Sequence, residues 1–192
     1  HLGRLFRLRS QINKDKTPIT PKAVRTYHGW IVDRLREGIG YDEIVQALLT
    51  GTGDTETVGP AGFYNTTEDP LLQTEFMTEA LLGSRMRCAN CHNHPLDKWT
   101  QDDFHGLTAM FSKLTRSQVI RLNPIGKNIH PNTGEAAAMK IPGGEFLSAD
   151  TKDGRGKFAD WLTARENPYF AKATVNRLWN CLLYTSPSPR DA

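Results

Sequence analysis

The chain has 192 residues, with 24 basic and 21 acidic side chains, a net charge of only +3, and 38% hydrophobic against 23% charged residues. These values describe a globular chain of one domain or one and a half, with enough Leu, Ile, Phe and Trp for a core, and they exclude disorder throughout. The positive surplus is dispersed, with a mild concentration in Arg4, Arg7 and Arg9, and does not point to nucleic acid; no run of about twenty apolar residues exists, so no membrane span is expected.

Residues 1–20 are basic and broken by Pro18. Thr20 followed by Pro21 predicts a capped helix start, and Val24, Tyr27, Ile31 and Leu35 recur at three and four as a buried stripe. His28 and Trp30 ride on this helix, where a lone His reads as a core or rim residue rather than a ligand. Gly38 and Gly40 end it, and Tyr41 to Thr50 starts another helix, with Ile44, Val45, Leu48 and Leu49 on one side. The Gly/Thr-rich stretch from Gly51 to Thr67 reads as a loop, anchored to the body by Phe63 and Tyr64. Asp69-Pro70 opens a further helix with Phe76, Met77, Ala80 and Leu81 as its stripe, and Gly83 closes it.

Directly after that helix stands Arg87 to Thr100, RCANCHNHPLDKWT, which holds Cys88 and Cys91 spaced CxxC and followed at once by His92. This is the signature of covalent c-type haem attachment. Each thiol adds across one porphyrin vinyl group, two intervening residues let one turn of backbone reach both vinyls, and His92 then serves as an axial ligand to the iron. Arg85 and Arg87 flank the motif and suit haem propionates. The same residues with His94 form an alternative Cys88, Cys91, His92, His94 cage for zinc or another metal, with Asp97 or Asp102 as a carboxylate behind the ligands. A thioredoxin-like dithiol fits less well, because a helical pattern precedes the cysteines and Pro95 stands four residues after the second of them, where a helix would have to continue.

Thr100 to Asp103 matches a capping box that launches a helix whose apolar face is Phe104, Leu107, Met110, Phe111 and Leu114. Met110 and His105 on this helix are candidates for the distal side of a haem, although Met among Phe and Leu is commonly core filler. Val119, Ile120 and Leu122 then read as a short strand, His130 to Gly134 as a turn, and Glu135 to Ile141 as a returning partner, making a small hairpin. His130 and Met139 are more remote distal candidates. After a Gly/Pro linker at Pro142 to Gly144, Phe158, Trp161 and Leu162 mark one helix, and Asn167-Pro168 starts another carrying Val175, Leu178 and Trp179. The expected fold is therefore mainly α, an irregular helical bundle with long loops and a small β-hairpin.

Three functions fit these residues: electron transfer through a c-type haem, a zinc or other metal domain with a structural or hydrolytic role, and a noncatalytic surface interaction module. Nucleophile-elbow, phosphate-loop, dinucleotide and HExxH motifs are all missing from the sequence, so no reaction is assigned. The chain begins with His1 rather than Met, which marks it as a piece of a longer protein, and its last residues, CLLYTSPSPRDA at 181–192, resemble the translation of a common transposon sequencing adapter. Cys181 belongs to that tail, leaving Cys88 and Cys91 as the two cysteines of the motif.

Four phrases resemble one family, the paired domains of planctomycete cytochrome c domain-containing proteins. They are YDEIVQALLTGTGD at 41–54, RCANCHNHPLDKWTQDDFHGLTAMF at 87–111, HPNTGE at 130–135 and FADWLTARENPYFAKATVNRLW at 158–179. The resemblance implies a first family domain ending near Leu114, a hairpin and linker over 115–152, and the opening of a second domain over 153–180. It further implies a large exported bacterial protein, periplasmic or at the cell surface, often carrying a separate cytochrome c domain upstream. That upstream domain, or another redox protein, is the expected partner. Covalent haem attachment, which takes place outside the cytoplasmic membrane, points to the same location.

Overall fold

The computed structural model describes residues 19–67 and 69–184. The stretch bearing Arg4, Arg7 and Arg9, the tail from 185 onward and the side chain of Cys181 lie outside the described residues. Helix α1 spans Pro21–Arg36: Thr20 is extended, its hydroxyl accepts the Ala23 N–H at 3.1 Å, and Pro21 occupies a first turn that needs no N–H. Its buried face is Ala23, Tyr27 and Ile31, while Val24 is half-buried and Leu35 is exposed, so the expected stripe is rotated by about one residue. The cause is a neighbour that the sequence pattern presents as loop. A 3₁₀ helix at Gly59–Asn65 lies on α1, so close that a Cβ on Gly59 would stand 2.3 Å from the Trp30 Cβ.

Helix α2, Tyr41–Thr50, buries Ile44, Val45, Leu48 and Leu49 as its spacing predicts. Phe63 and Tyr64 of the 3₁₀ helix are buried beside it, and the Tyr64 hydroxyl donates to the Leu49 carbonyl. Helix α3, Pro70–Met77, starts where Asp69 accepts the Leu72 N–H at 2.8 Å. It widens into a single π-turn at Thr78–Leu82 and stops at Gly83, whose left-handed backbone (φ 67°) closes the end. Phe76, Met77, Ala80 and Leu81 are buried, as expected.

Helix α4, Gln101–Ser112, opens on a complete capping box: Thr100 Oγ1 accepts the Asp103 N–H at 3.2 Å, and Asp103 accepts the Thr100 N–H at 2.9 Å. Every residue of α4 except Asp102 is buried, so this helix is enclosed by the others rather than lying on the surface with one apolar face. Strands β1 (Gly53–Asp54), β2 (Leu114–Thr115) and β3 (Val119–Leu122) form an antiparallel sheet in the order β1-β3-β2, with Gly53 opposite Ile120 and Leu114 opposite Leu122. The β2–β3 hairpin supplies the small hairpin of the expected fold class. Its partner strand differs from the expected one. Both edges of β3 are taken by β1 and β2, so 135–141 does not pair with it and makes only single bridges, Ile129 with Ala136 and Lys140 with Phe146.

Segment 138–140 crosses α4 at Gly106, where a Cβ would stand 2.4 Å from the Lys140 Cβ and 3.1 Å from the Ala138 carbonyl oxygen. Lys140 reaches past that crossing to the buried Asp103 carboxylate at 2.6 Å. Gly106→Ala should therefore lower stability by about 1–3 kcal/mol, because the overlap outweighs the ~1 kcal/mol that Ala gains in a helix. An unchanged thermal midpoint would contradict this crossing.

Helix α5, Arg155–Thr163, buries Phe158, Ala159 and Leu162 against α2. Helix α6, Pro168–Tyr184, starts where Asn167 accepts the Tyr169 N–H at 2.9 Å and lies along the π-turn, with Arg177 donating to the Glu79 carbonyl at 2.6 Å. Its Val175, Leu178 and Trp179 are exposed. Among the described residues no helix is long and apolar enough to cross a membrane.

Candidate functional site

The motif occupies a loop between the π-turn and α4 that is closed at its base. Trp99, 1% exposed, donates from Nε1 to Ser84 Oγ at 2.7 Å, and Ser84 donates to Asp97 at 2.9 Å. The Trp99 carbonyl accepts the His94 N–H at 2.8 Å, and the Trp99 ring tilts against Tyr169 of α6 with Lys98 over both. Within the loop, Met86–Asn90 is a 3₁₀ helix. At about three residues per turn, side chains three apart stand above one another. Met86 and Ala89 are thus both buried, and Cys88 and Cys91 are both free and exposed. The Cys88 carbonyl accepts the N–H groups of Cys91 and His92, each at 3.3 Å.

His92 is exposed, and its Nδ1 stands 2.7 Å from the Asn93 carbonyl oxygen. A carbonyl can only accept, so Nδ1 donates to it. A backbone carbonyl on one ring nitrogen is the contact that orients an imidazole whose other nitrogen is to meet a metal. His94 is in the opposite state: its Nδ1 accepts the Leu96 N–H at 3.2 Å. Among the described residues no group of three or more His, Cys, Asp or Glu is placed to hold a metal ion. Asp97 is engaged by Ser84 and by the Lys98 N–H, and Asp102 faces His130.

The four distal candidates lie behind the motif or inside the core. Met110 is fully buried, and it and the half-buried Met139 meet at Gly154, where a Cβ would stand 3.1 Å from Met110 Cγ and from Met139 Sδ. His105 is buried, with Nε2 at 2.9 Å from the Asn90 carbonyl and Nδ1 at 2.9 Å from the Asn128 amide nitrogen. His130 is buried against it, ring centroids 5.0 Å apart, with Nε2 3.1 Å from Asp102 and Nδ1 accepting the Asn132 N–H at 3.3 Å. Although close enough for an ion pair, His130 Nε2 is not aligned on Asp102 for a hydrogen bond. Arg85 and Arg87 are more than four-fifths exposed and pair loosely with Glu79 and Glu75, at 3.5 and 3.7 Å. Pairs so exposed are worth little, which leaves both guanidiniums open to another carboxylate.

Sequence reasoning missed the bracket that holds the motif from beneath. Gln101 donates from Nε2 to the Asn90 carbonyl at 3.1 Å, accepts from Asn132, and through its backbone N–H donates to Asn93 Oδ1 at 3.0 Å. Asn90, Asn93, Gln101, His105, Asn128 and Asn132 thus join the CxxCH turn to the start of α4 and to the 128–135 segment. The signal available in the sequence was the run of Asn, Gln and His in both phrases, residue types that need partners when buried.

Asp103, at the foot of the same helix, is 2% exposed. Burial alone would raise its pKa, but the Lys140 ammonium, the N–H groups of Thr100 and Gly143 and the Thr100 hydroxyl outweigh this and hold the carboxyl below its usual range. Because the folded value lies below the unfolded one, the contribution of Asp103 to stability is complete above about pH 4 and is lost as pH falls through the lowered folded value. Acid unfolding of Asp103→Asn should therefore show a shallower pH dependence below about pH 4 than the parent chain.

Neither a curated protein nor a solved structure matches the chain. One family model does, over residues 1–116, a span that holds α1 to α4 and the whole CxxCH loop. The chain belongs to the PSCyt2 family, described as a protein of unknown function (DUF1549), a domain associated with planctomycete cytochrome c proteins.

Proposed function

We propose that the turn at Cys88, Cys91 and His92 is a covalent attachment site for a c-type haem, and that the domain transfers electrons in an exported protein, periplasmic or at the cell surface. The observation that carries this reading is an exposed His92 ring whose Nδ1 is set against the Asn93 carbonyl, next in the chain to two exposed thiols one 3₁₀ turn apart. Haem held there supplies a one-electron couple. Cys88 and Cys91 anchor it through thioethers, His92 binds the iron, and Arg85 and Arg87 meet the propionates. The upstream cytochrome c domain, or another redox protein, exchanges the electron. None of Met110, His105, His130 and Met139 is assigned to the iron, because each is buried or engaged on the inner side of the motif. The zinc cage draws no support from His94, whose Nδ1 lone pair is already used.

The test is to express the whole chain in a host equipped for haem attachment. A red protein whose pigment survives acid–acetone extraction supports the reading; colourless protein carrying stoichiometric zinc overturns it. Because both thiols are exposed and touch no core, the Cys88→Ser, Cys91→Ser double variant should lose all covalent pigment while its stability stays within about 0.5 kcal/mol. A structural role for the pair would instead show as a large drop in the thermal midpoint.

A further inference from the structure

His105 joins two parts of the chain that no regular element connects. Its Nε2–H donates to the carbonyl of Asn90, between the two motif cysteines, and its Nδ1 accepts the amide N–H of Asn128. The Asn128 bond demands the neutral ring, since Asn128 offers a donor where a second ring proton would stand. The groups facing it are few. From the 128–135 segment come Asn128 and His130, from α4 itself Asp102, and from the motif the Asn90 carbonyl. Burial lowers the His105 pKa, the Asn90 carbonyl opposes this, His130 adds to the lowering and Asp102 opposes it. An open cleft of about 190 Å³, lined by Asp102, Gly106, His130, Thr133, Glu135 and Phe146 among others, brings solvent to the His130 side of the pair.

We infer that His105 is a proton-sensitive latch, which in its neutral form fixes the CxxCH turn to the 128–135 segment and on protonation lets go of Asn128 while keeping the turn. Protonation places an N–H against the Asn128 amide and a cation against His130, so the Asn128 bond breaks, while the Asn90 carbonyl, now facing a charged donor, is held more tightly. Through His105, the turn carrying Cys88, Cys91 and His92 is then joined to both α4 and Asn128 at neutral pH, and to α4 alone in mild acid. This positioning role gains its meaning from the haem reading, but it is tested in protein without haem, so that one can fail while the other stands.

The experiment is an NMR pH titration of the whole haem-free chain, following the His105 ring, the Asn128 side-chain amide and the backbone amides of Asn90, Cys91 and His92. The latch predicts that all five move together at one midpoint, below the usual imidazole value of about 6.5. It also predicts that His105→Gln, whose amide can donate to Asn90 and accept from Asn128 but does not titrate, holds the motif amides at their neutral-pH positions throughout. His130→Asn should keep the His105 step and shift its midpoint upward. A His105 ring that titrates while the motif amides stay still would overturn the latch, as would the same motif step surviving in His105→Gln.

Discussion

Arg155→Ala should lower the stability of the chain by about 2–4 kcal/mol, the cost of removing a buried guanidinium from a half-buried Asp153 and two buried carbonyl contacts. The side chain is 1% exposed and every nitrogen is engaged: Nε and Nη2 bind Asp153 at 2.9 and 2.7 Å, and Nη1 donates to the carbonyls of Leu49 and Gly51, both at 3.3 Å. The guanidinium also lies over the Tyr64 ring, 5.3 Å from its centroid. Those two carbonyls lie at the C-terminal end of α2, where helix carbonyls lack partners, so the guanidinium acts as a cap delivered from 104 and 106 residues away. Removing it strands Asp153 and the α2 end together. Arg155→Lys should recover only part of the loss, because an ammonium cannot match the two-pronged geometry. Chemical denaturation of both variants checks this, and a change under 1 kcal/mol for Arg155→Ala would show that the pair contributes nothing net.

Trp99→Ala carries an expected loss of about 3–5 kcal/mol, as for other buried aromatic truncations. What sets this site apart is where the damage falls. Trp99 closes the loop through Ser84 and packs against Tyr169, so its loss opens the base of the CxxCH loop and frees one end of α6. Trp99→Phe keeps the ring contact and drops only the Nε1–H to Ser84, and should cost about 1–2 kcal/mol. Hydrogen exchange should locate the Trp99→Ala effect at residues 84–99 and near Tyr169; uniform loss of protection across the chain would argue that Trp99 acts only as core.

The helix starts at Thr20, Asp69 and Thr100 were legible in the sequence because each rests on a side chain bonding a backbone N–H three residues on, a contact that local spacing contains. The exposed CxxCH was legible as a motif, and the 3₁₀ turn explains why its two cysteines share an edge. What stayed hidden depends on partners far along the chain. The rotation of the α1 stripe comes from the 3₁₀ helix laid on Trp30. The pairing of β3 with two-residue strands leaves almost no pattern to read. The polar bracket of Gln101, His105 and Asn128 joins segments distant in sequence, and Arg155 reaches its carbonyls across more than a hundred residues, so no local window contains either contact. His105 is a distal candidate by its nearness to the CxxCH in sequence; that both its ring nitrogens meet Asn90 and Asn128 depends on contacts 15 and 23 residues away.

Haem attachment at the CxxCH turn is decided by the mass of the intact, denatured chain after expression with haem-attachment enzymes. The expected result is a species heavier by one haem, absent from the Cys88→Ser, Cys91→Ser variant, with the added mass mapped by proteolysis to the peptide holding Cys88, Cys91 and His92. Folded wild-type protein at its bare polypeptide mass, from a host that loads a control cytochrome in the same cells, would contradict it.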